Sequence, residues 1–194
     1  MNMGFFSDLF AKKEPELFRA KVMSTRTALN THIASEVNSG KVMTLLFFAS
    51  SQEDILRLTT EHHRVNVVHA EQLSNASTQA RIRTFVSTAG NTVVLGERFP
   101  LSQQEQQLAK QLEQLGVAMP MLAYAALDDL FFLQFGGERI ANLMKSMGMD
   151  DREFIEHPMI QSAIKNAQTK LAQKISITSK TKSPEEWFRM HMKE

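Results

Sequence analysis

The chain contains no cysteine. Disulfides, zinc sites built on thiolates and thiol catalysis are excluded together, and the composition fits a reducing compartment. No apolar run approaches the roughly 18 residues that a membrane-spanning helix needs. The opening residues, MNMGFFSDLFAKK, lack the basic start and long apolar stretch of a secretory signal. An excess of one charge is missing too. Twenty-two Lys and Arg against 21 Asp and Glu leave a formal net charge of +1, so bulk electrostatics requires neither nucleic acid nor an anionic membrane as partner.

Glycine-rich phosphate loops are also absent. A phosphate-binding loop needs glycines whose amides surround the phosphates, then a lysine-hydroxyl pair. The one Gly-Lys pair, Gly40-Lys41, runs into Val42 with no glycine close upstream, and reads as a helix stop before a strand. Neither GxGxxG nor the GxSxG nucleophile elbow occurs. His62-His63 and His69 are poor metal candidates, because adjacent histidines diverge on a helix and oppose each other on a strand. Asp128-Asp129 is a paired carboxylate best read as an acidic helix start that complements the dipole. From chemistry alone no active site is visible.

What is present is an ordinary globular composition: 194 residues, 43% hydrophobic and 22% charged, enough for one domain with a helical extension. Twelve methionines read as adaptable core filler, with an adaptable binding surface as the alternative. Residues 1–38 read as helical. Phe5, Phe6, Leu9 and Phe10 share one face, Pro15 interrupts, and Glu16–Asn38 carries Leu17, Phe18, Val22, Leu29, Ile33 and Val37.

Strands and helices then alternate. The runs 42–49, 65–70, 91–97 and 117–126 read as buried strands, the last with Pro120 marking an edge position or a start after it. Ser50–Glu53 and Ser102–Glu105 have the form of capping boxes opening helices to about His62 and Gly116, with a weaker helix near 78–84. Helices are predicted at 128–147, 159–174 and 184–193, the last opened by Ser183-Pro184. Such alternation predicts βαβ units and an α/β fold with a parallel sheet of four or five strands, the last helices packing outside it.

Residues 127–174 resemble one segment of SecA, the ATPase that drives preproteins through the bacterial SecY channel. The matching features are Asp128-Asp129-Leu130, Phe135-Gly136, Glu138-Arg139-Ile140, Met147-Gly148-Met149, Ile155-Glu156-His157-Pro158, Ala163-Ile164 and Asn166-Ala167-Gln168. Upstream, VNVVHAEQL (65–73) and VVLGERF (93–99) are similar to strand segments of the same family. The resemblance implies the second motor domain, a three-layer P-loop NTPase or RecA-like fold, with the start of the helical scaffold.

It also exposes a departure. Where the family has an arginine-rich stretch of the form QLRGRxGRQGD, this chain has Gln107-Leu108-Ala109-Lys110-Gln111-Leu112-Glu113-Gln114-Leu115-Gly116. The glutamine-leucine start is kept and the arginines are gone, and an arginine finger is worth about 10³–10⁵ in phosphoryl transfer. The glycine-rich motif ending in GRGTD has Thr88-Ala89-Gly90-Asn91 as its nearest remnant. No catalytic, cofactor or metal residue of the family carries over.

The sequence therefore predicts a helical segment over 1–38, a degenerate RecA-like domain over 39–135 and a helical extension over 136–194. The expected function is non-catalytic, an interaction or accessory factor linked to preprotein translocation, with SecA or the SecY channel as partner and no nucleic acid. The alternative is a binding module that reuses the fold for a small ligand or an unrelated partner. The expected location is cytoplasmic, peripheral at the inner face of the membrane, with Phe5, Phe6, Leu9 and Phe10 as the membrane or partner contact.

Overall fold

The computed structural model describes residues 16–47, 52–60, 62–155, 158–175 and 184–192. Five strands form one sheet, all parallel: β1 (Phe18–Met23), β2 (Val42–Phe47), β3 (Val65–His69), β4 (Asn91–Leu95) and β5 (Met121–Ala126). Their spatial order is β1-β5-β4-β2-β3. Strand β2, VMTLLF, is buried along nearly its whole length, as expected where helices cover both faces.

One face is covered by α1 (Arg26–Asn38) and α2 (Gln52–Leu58). There Leu29, Ile33, Val37 and Ile55 pack against Leu45, Val94 and Tyr124. The other face carries two apolar clusters. Helices α3 (Ala76–Val86) and α4 (Ser102–Gln114) build the first, with Ile82, Leu108 and Leu112 on Leu46, Leu95 and Ala123. Helices α5 (Leu130–Leu133), α6 (Gly137–Ser146), α7 (Pro158–Lys174) and α8 (Pro184–His191) surround the second. Ile164, Leu171 and the fully buried Trp187 meet Ala20, Val22 and Ala125 there. The last helices thus pack on the sheet itself rather than outside it.

The largest departure from the sequence reading is β1. Glu16–Asn38 was expected to be one helix, yet Phe18–Met23 pairs with Met121–Ala126 as an edge strand. Phe18, Ala20 and Val22 alternate inward with period two, and pairing with a strand about a hundred residues away outweighs local helical spacing. Thr25 then caps α1, its hydroxyl accepting the Ala28 N–H at 3.1 Å.

The helix expected over 128–147 is divided. The short α5 ends with Gln134 as its C-cap, and Gly136, at φ +86° in the left-handed region, is the N-cap of α6. Beside it, a Cβ on Gly137 would lie 2.2 Å from the Leu127 carbonyl oxygen, so only glycine lets α6 start there. Pro120 precedes β5, which is a central strand, so the reading of a strand starting after it is the one that holds. The Ser102–Glu105 capping box is not formed. Leu101 is the N-cap and Glu105 turns inward. Ser50, Ser51 and Ser183 lie outside the described residues.

Candidate functional site

From β2 the chain moves outward to β3, and from β4 it moves the opposite way to β5. The carboxyl ends of β2 and β4 therefore flank the topological switch point, where open α/β sheets hold their ligands. At this place the ends of β2 and β4 are held close together. Gly96, just past β4, donates its N–H to the Leu46 carbonyl at 2.6 Å. The Phe47 ring lies so close over Gly96 that a Cβ there would be 2.6 Å from its Cζ. Residues 48–51, which follow β2, lie outside the described residues.

Alongside, Arg26 joins the carboxyl ends of three strands. It is the first residue of α1, two positions after Ser24 closes β1. Its Nε donates to Asp129 Oδ1 at 2.8 Å, its Nη2 pairs with Asp129 Oδ2, and its Nη1 donates to the Gly96 carbonyl at 2.8 Å. Asp129 Oδ2 also accepts the Ala126 N–H at 2.8 Å, which ties the carboxylate to the end of β5. Asp128 Oδ1 accepts the Arg26 backbone N–H at 2.6 Å.

The N-terminus of α1 is thus supplied from within. Its first N–H goes to the Asp128 carboxylate and its third to Thr25, the positions where a bound phosphate would otherwise gain from the helix dipole. Burial opposes the Arg26 charge, but Asp129, with Glu97 and Asp128 beyond, more than offsets that and holds the guanidinium above its ordinary value. Burial pushes Asp128 up from the usual carboxylate range; the Arg26 N–H pulls it down and the Asp129 charge adds to the rise.

This corrects the reading of Asp128-Asp129 as a dipole-complementing helix start. Asp129 does precede α5, but makes no side-chain cap bond to it; both carboxylates turn to Arg26 instead. Arg26 itself was missed, because a single helix over 16–38 hides the strand-to-helix junction that aims it. Its one local signal is Thr25, a good N-cap residue.

The other singled-out residues are scattered. His62 and His63 lie in a 3₁₀ turn before β3, and His69 at its far end. Among the described residues no group of three or more His, Asp or Glu is placed to hold a metal ion. Lys110 is exposed on α4. Arg98 is buried in a two-pronged pair with Glu105, Nε to Oε1 at 2.8 Å and Nη2 to Oε2 at 2.6 Å. Glu105 also accepts the Phe99 N–H at 2.9 Å, and Gln168 on α7 donates to the Phe99 carbonyl at 2.9 Å. That polar seam lies between the two apolar clusters of this sheet face. Phe5, Phe6, Leu9 and Phe10 lie outside the described residues. No helix of the described residues is long and apolar enough to cross a membrane.

No family model matches the chain. Relatives do. Protein translocase subunit SecA of Christiangramia forsetii is 32% identical over 106 residues, 54% of this chain and 10% of that protein. The SecA subunit of Salinibacter ruber is 32% identical over 109 residues, 56% of this chain and 9% of its own length. About half of this chain is a SecA-related region. The SecA subunit of Pseudomonas putida gives 33% over 104 residues, 53% of this chain and 11% of that protein. The chain's SecA-related region thus spans about a tenth of the length of the curated relatives it matches.

Proposed function

We propose that this SecA-related chain is a non-catalytic protein-binding factor linked to preprotein translocation, built on a degenerate second motor domain of the RecA-like type. The observation that carries the reading is the internal pairing of charged groups at the carboxyl ends of β1, β4 and β5. Arg26, Asp128 and Asp129 satisfy one another there, and Phe47 covers Gly96. Phosphoryl transfer needs donors aimed at transition-state charge and acids that hold magnesium. At this place Asp129 is paired with a guanidinium whose remaining nitrogen is held by the Gly96 carbonyl, and Asp128 is taken up by the Arg26 backbone N–H. A fold kept without that chemistry is kept for its contacts. The partner in this reading is SecA or the SecY channel, met at the cytoplasmic face of the membrane.

Two measurements test it. A phosphate-release assay on the purified chain should give no ATP turnover above background. Affinity capture from native cytosol and solubilised membranes, read by mass spectrometry, should enrich SecA or SecY. Turnover that follows the protein through purification, or capture that enriches neither, overturns the proposal.

A further inference from the structure

Strand β1 is an outer edge of the sheet. Leu17 and Met23 direct their carbonyls to β5, accepting from Met121 and Leu127 at 3.0 Å each. By the period of a strand, the backbone groups of Phe18, Ala20 and Val22 point away from β5. Edge strands of this kind are templates for an added strand. Here the segment between α6 and α7 lies against the edge. Ile155 donates its N–H to the Val22 carbonyl at 2.7 Å and forms an isolated antiparallel bridge with Val22.

The two residues at that bridge behave as strand residues. Phe154 goes to one face of the sheet and Ile155 to the other. The Phe154 ring has a cradle. His32 meets it edge-on at 4.7 Å, Tyr124 stacks at 6.0 Å, and Lys21 Nζ sits 4.9 Å from its centroid. Ile155 is buried in the second apolar cluster. The segment is otherwise held at its exposed end by Ser24, whose hydroxyl donates to the Asp151 carbonyl at 3.2 Å.

We propose that the outer edge of β1 docks an extended peptide of a partner protein, with Phe154–Ile155 as its built-in occupant. The peptide adds antiparallel and carries an aromatic residue followed by an aliphatic one. Continuing the observed register places the peptide's next residue opposite Lys21, on the face that also carries Arg19. The inference rests on the protein-binding reading above and names the surface and the ligand chemistry.

The probe is a labelled peptide copying residues 150–157, DDREFIEH, titrated by fluorescence anisotropy into the full chain. A Phe154→Ala/Ile155→Ala variant, which loosens the occupant, should bind it at least about ten-fold tighter than the wild type. A peptide lacking the Phe and Ile side chains should not bind. Because the chain has no cysteine, Ser24→Cys/Asp151→Cys adds a single thiol pair. Oxidation should abolish binding and reduction restore it. Equal binding in locked and loosened chains, or none in a loosened chain that keeps its far-ultraviolet spectrum, overturns the inference.

If the loosened variant does not fold, hydrogen exchange of the wild type decides. An Ile155 amide exchanging far faster than Ala123 supports a strap that opens locally, and equal rates overturn it. Peptide failure alongside capture of SecA or SecY removes this inference and leaves the broader reading standing.

Discussion

Arg26 and Asp129 are separated by 103 residues and meet in a two-pronged ion pair, Nε to Oδ1 at 2.8 Å with Nη2 on Oδ2. Both side chains are mostly buried, at 23% and 17% exposure. The pair joins the start of α1 to the end of β5, and the third guanidinium nitrogen reaches the chain just past β4 through Gly96. A fork of donors is what such a junction needs, since a point charge cannot satisfy two acceptors in fixed directions.

Removing one partner should therefore be costly. Arg26→Ala leaves the Asp129 carboxylate and the Gly96 carbonyl without their guanidinium donors, and should lower stability by about 2–4 kcal/mol in urea denaturation. Arg26→Lys should recover less than half of the loss. Full recovery by lysine would show that charge alone matters and that the fork geometry does not.

Two groups set opposite pH trends. Asp128 has its pKa raised in the fold, chiefly by burial, so folding favours its protonated form. Its contribution is present below the ordinary 3.8 and is lost as pH rises through the folded value. Asp128→Asn keeps an acceptor for the Arg26 N–H, so its stability relative to wild type should improve between pH 4 and 7. His32 is lowered, chiefly by burial; Glu36 opposes the fall, and Lys21 and Lys41 add to it. Its contribution is present above the ordinary 6.5 and is lost as pH falls through the folded value. His32→Phe should flatten the decline below pH 6.5. Denaturation midpoints across this range check both signs.

The parts that could be read from sequence are those with a clear local period. The runs ending at Phe47, His69, Leu95 and Ala126 are apolar enough to be buried strands, and α3, α4 and α7 show helical spacing. Strand β1 was not legible, because Leu17, Phe18, Val22, Leu29 and Ile33 also satisfy a helical period and only distant β5 decides between them. The same mistake concealed Arg26. Asp128-Asp129 stood out, but their role depends on a partner a hundred residues away. Ser102–Glu105 had the form of a capping box, and a buried Arg98 competes successfully for Glu105, since an unpaired interior guanidinium costs more than an unmade cap.

Gly96 gives a steric test of the close approach between β2 and β4. Gly96→Ala brings a methyl to 2.6 Å from the Phe47 ring, beside a strand whose backbone is held by its Leu46 contact. Overpacking of this kind should cost about 1–3 kcal/mol. Phe47→Leu in the same chain should relieve part of that cost, so the double variant should be more stable than the sum of the single changes. Strict additivity would mean that the ring and Gly96 do not press on each other.

The last prediction concerns Arg98 and Glu105, whose side chains are 6% and 5% exposed. Among the described residues Arg98 Nη1 is buried with no hydrogen-bond partner, so within them the pair is incompletely satisfied. The Arg98 guanidinium also lies 5.7 Å from the Phe18 ring centroid, on apolar ground. Taking two charges out of water is expensive, and the attraction between them returns that cost only when every donor is met. Glu105→Leu alone strands a buried cation and frees the Phe99 N–H, and should cost about 3–5 kcal/mol. Arg98→Met/Glu105→Leu removes both charges at similar volume, and should recover most of the loss despite the orphaned Phe99 amide. A double variant as unstable as Glu105→Leu would show that the Phe99 and Gln168 bonds, rather than the ion pair, hold α4 and α7 against the sheet.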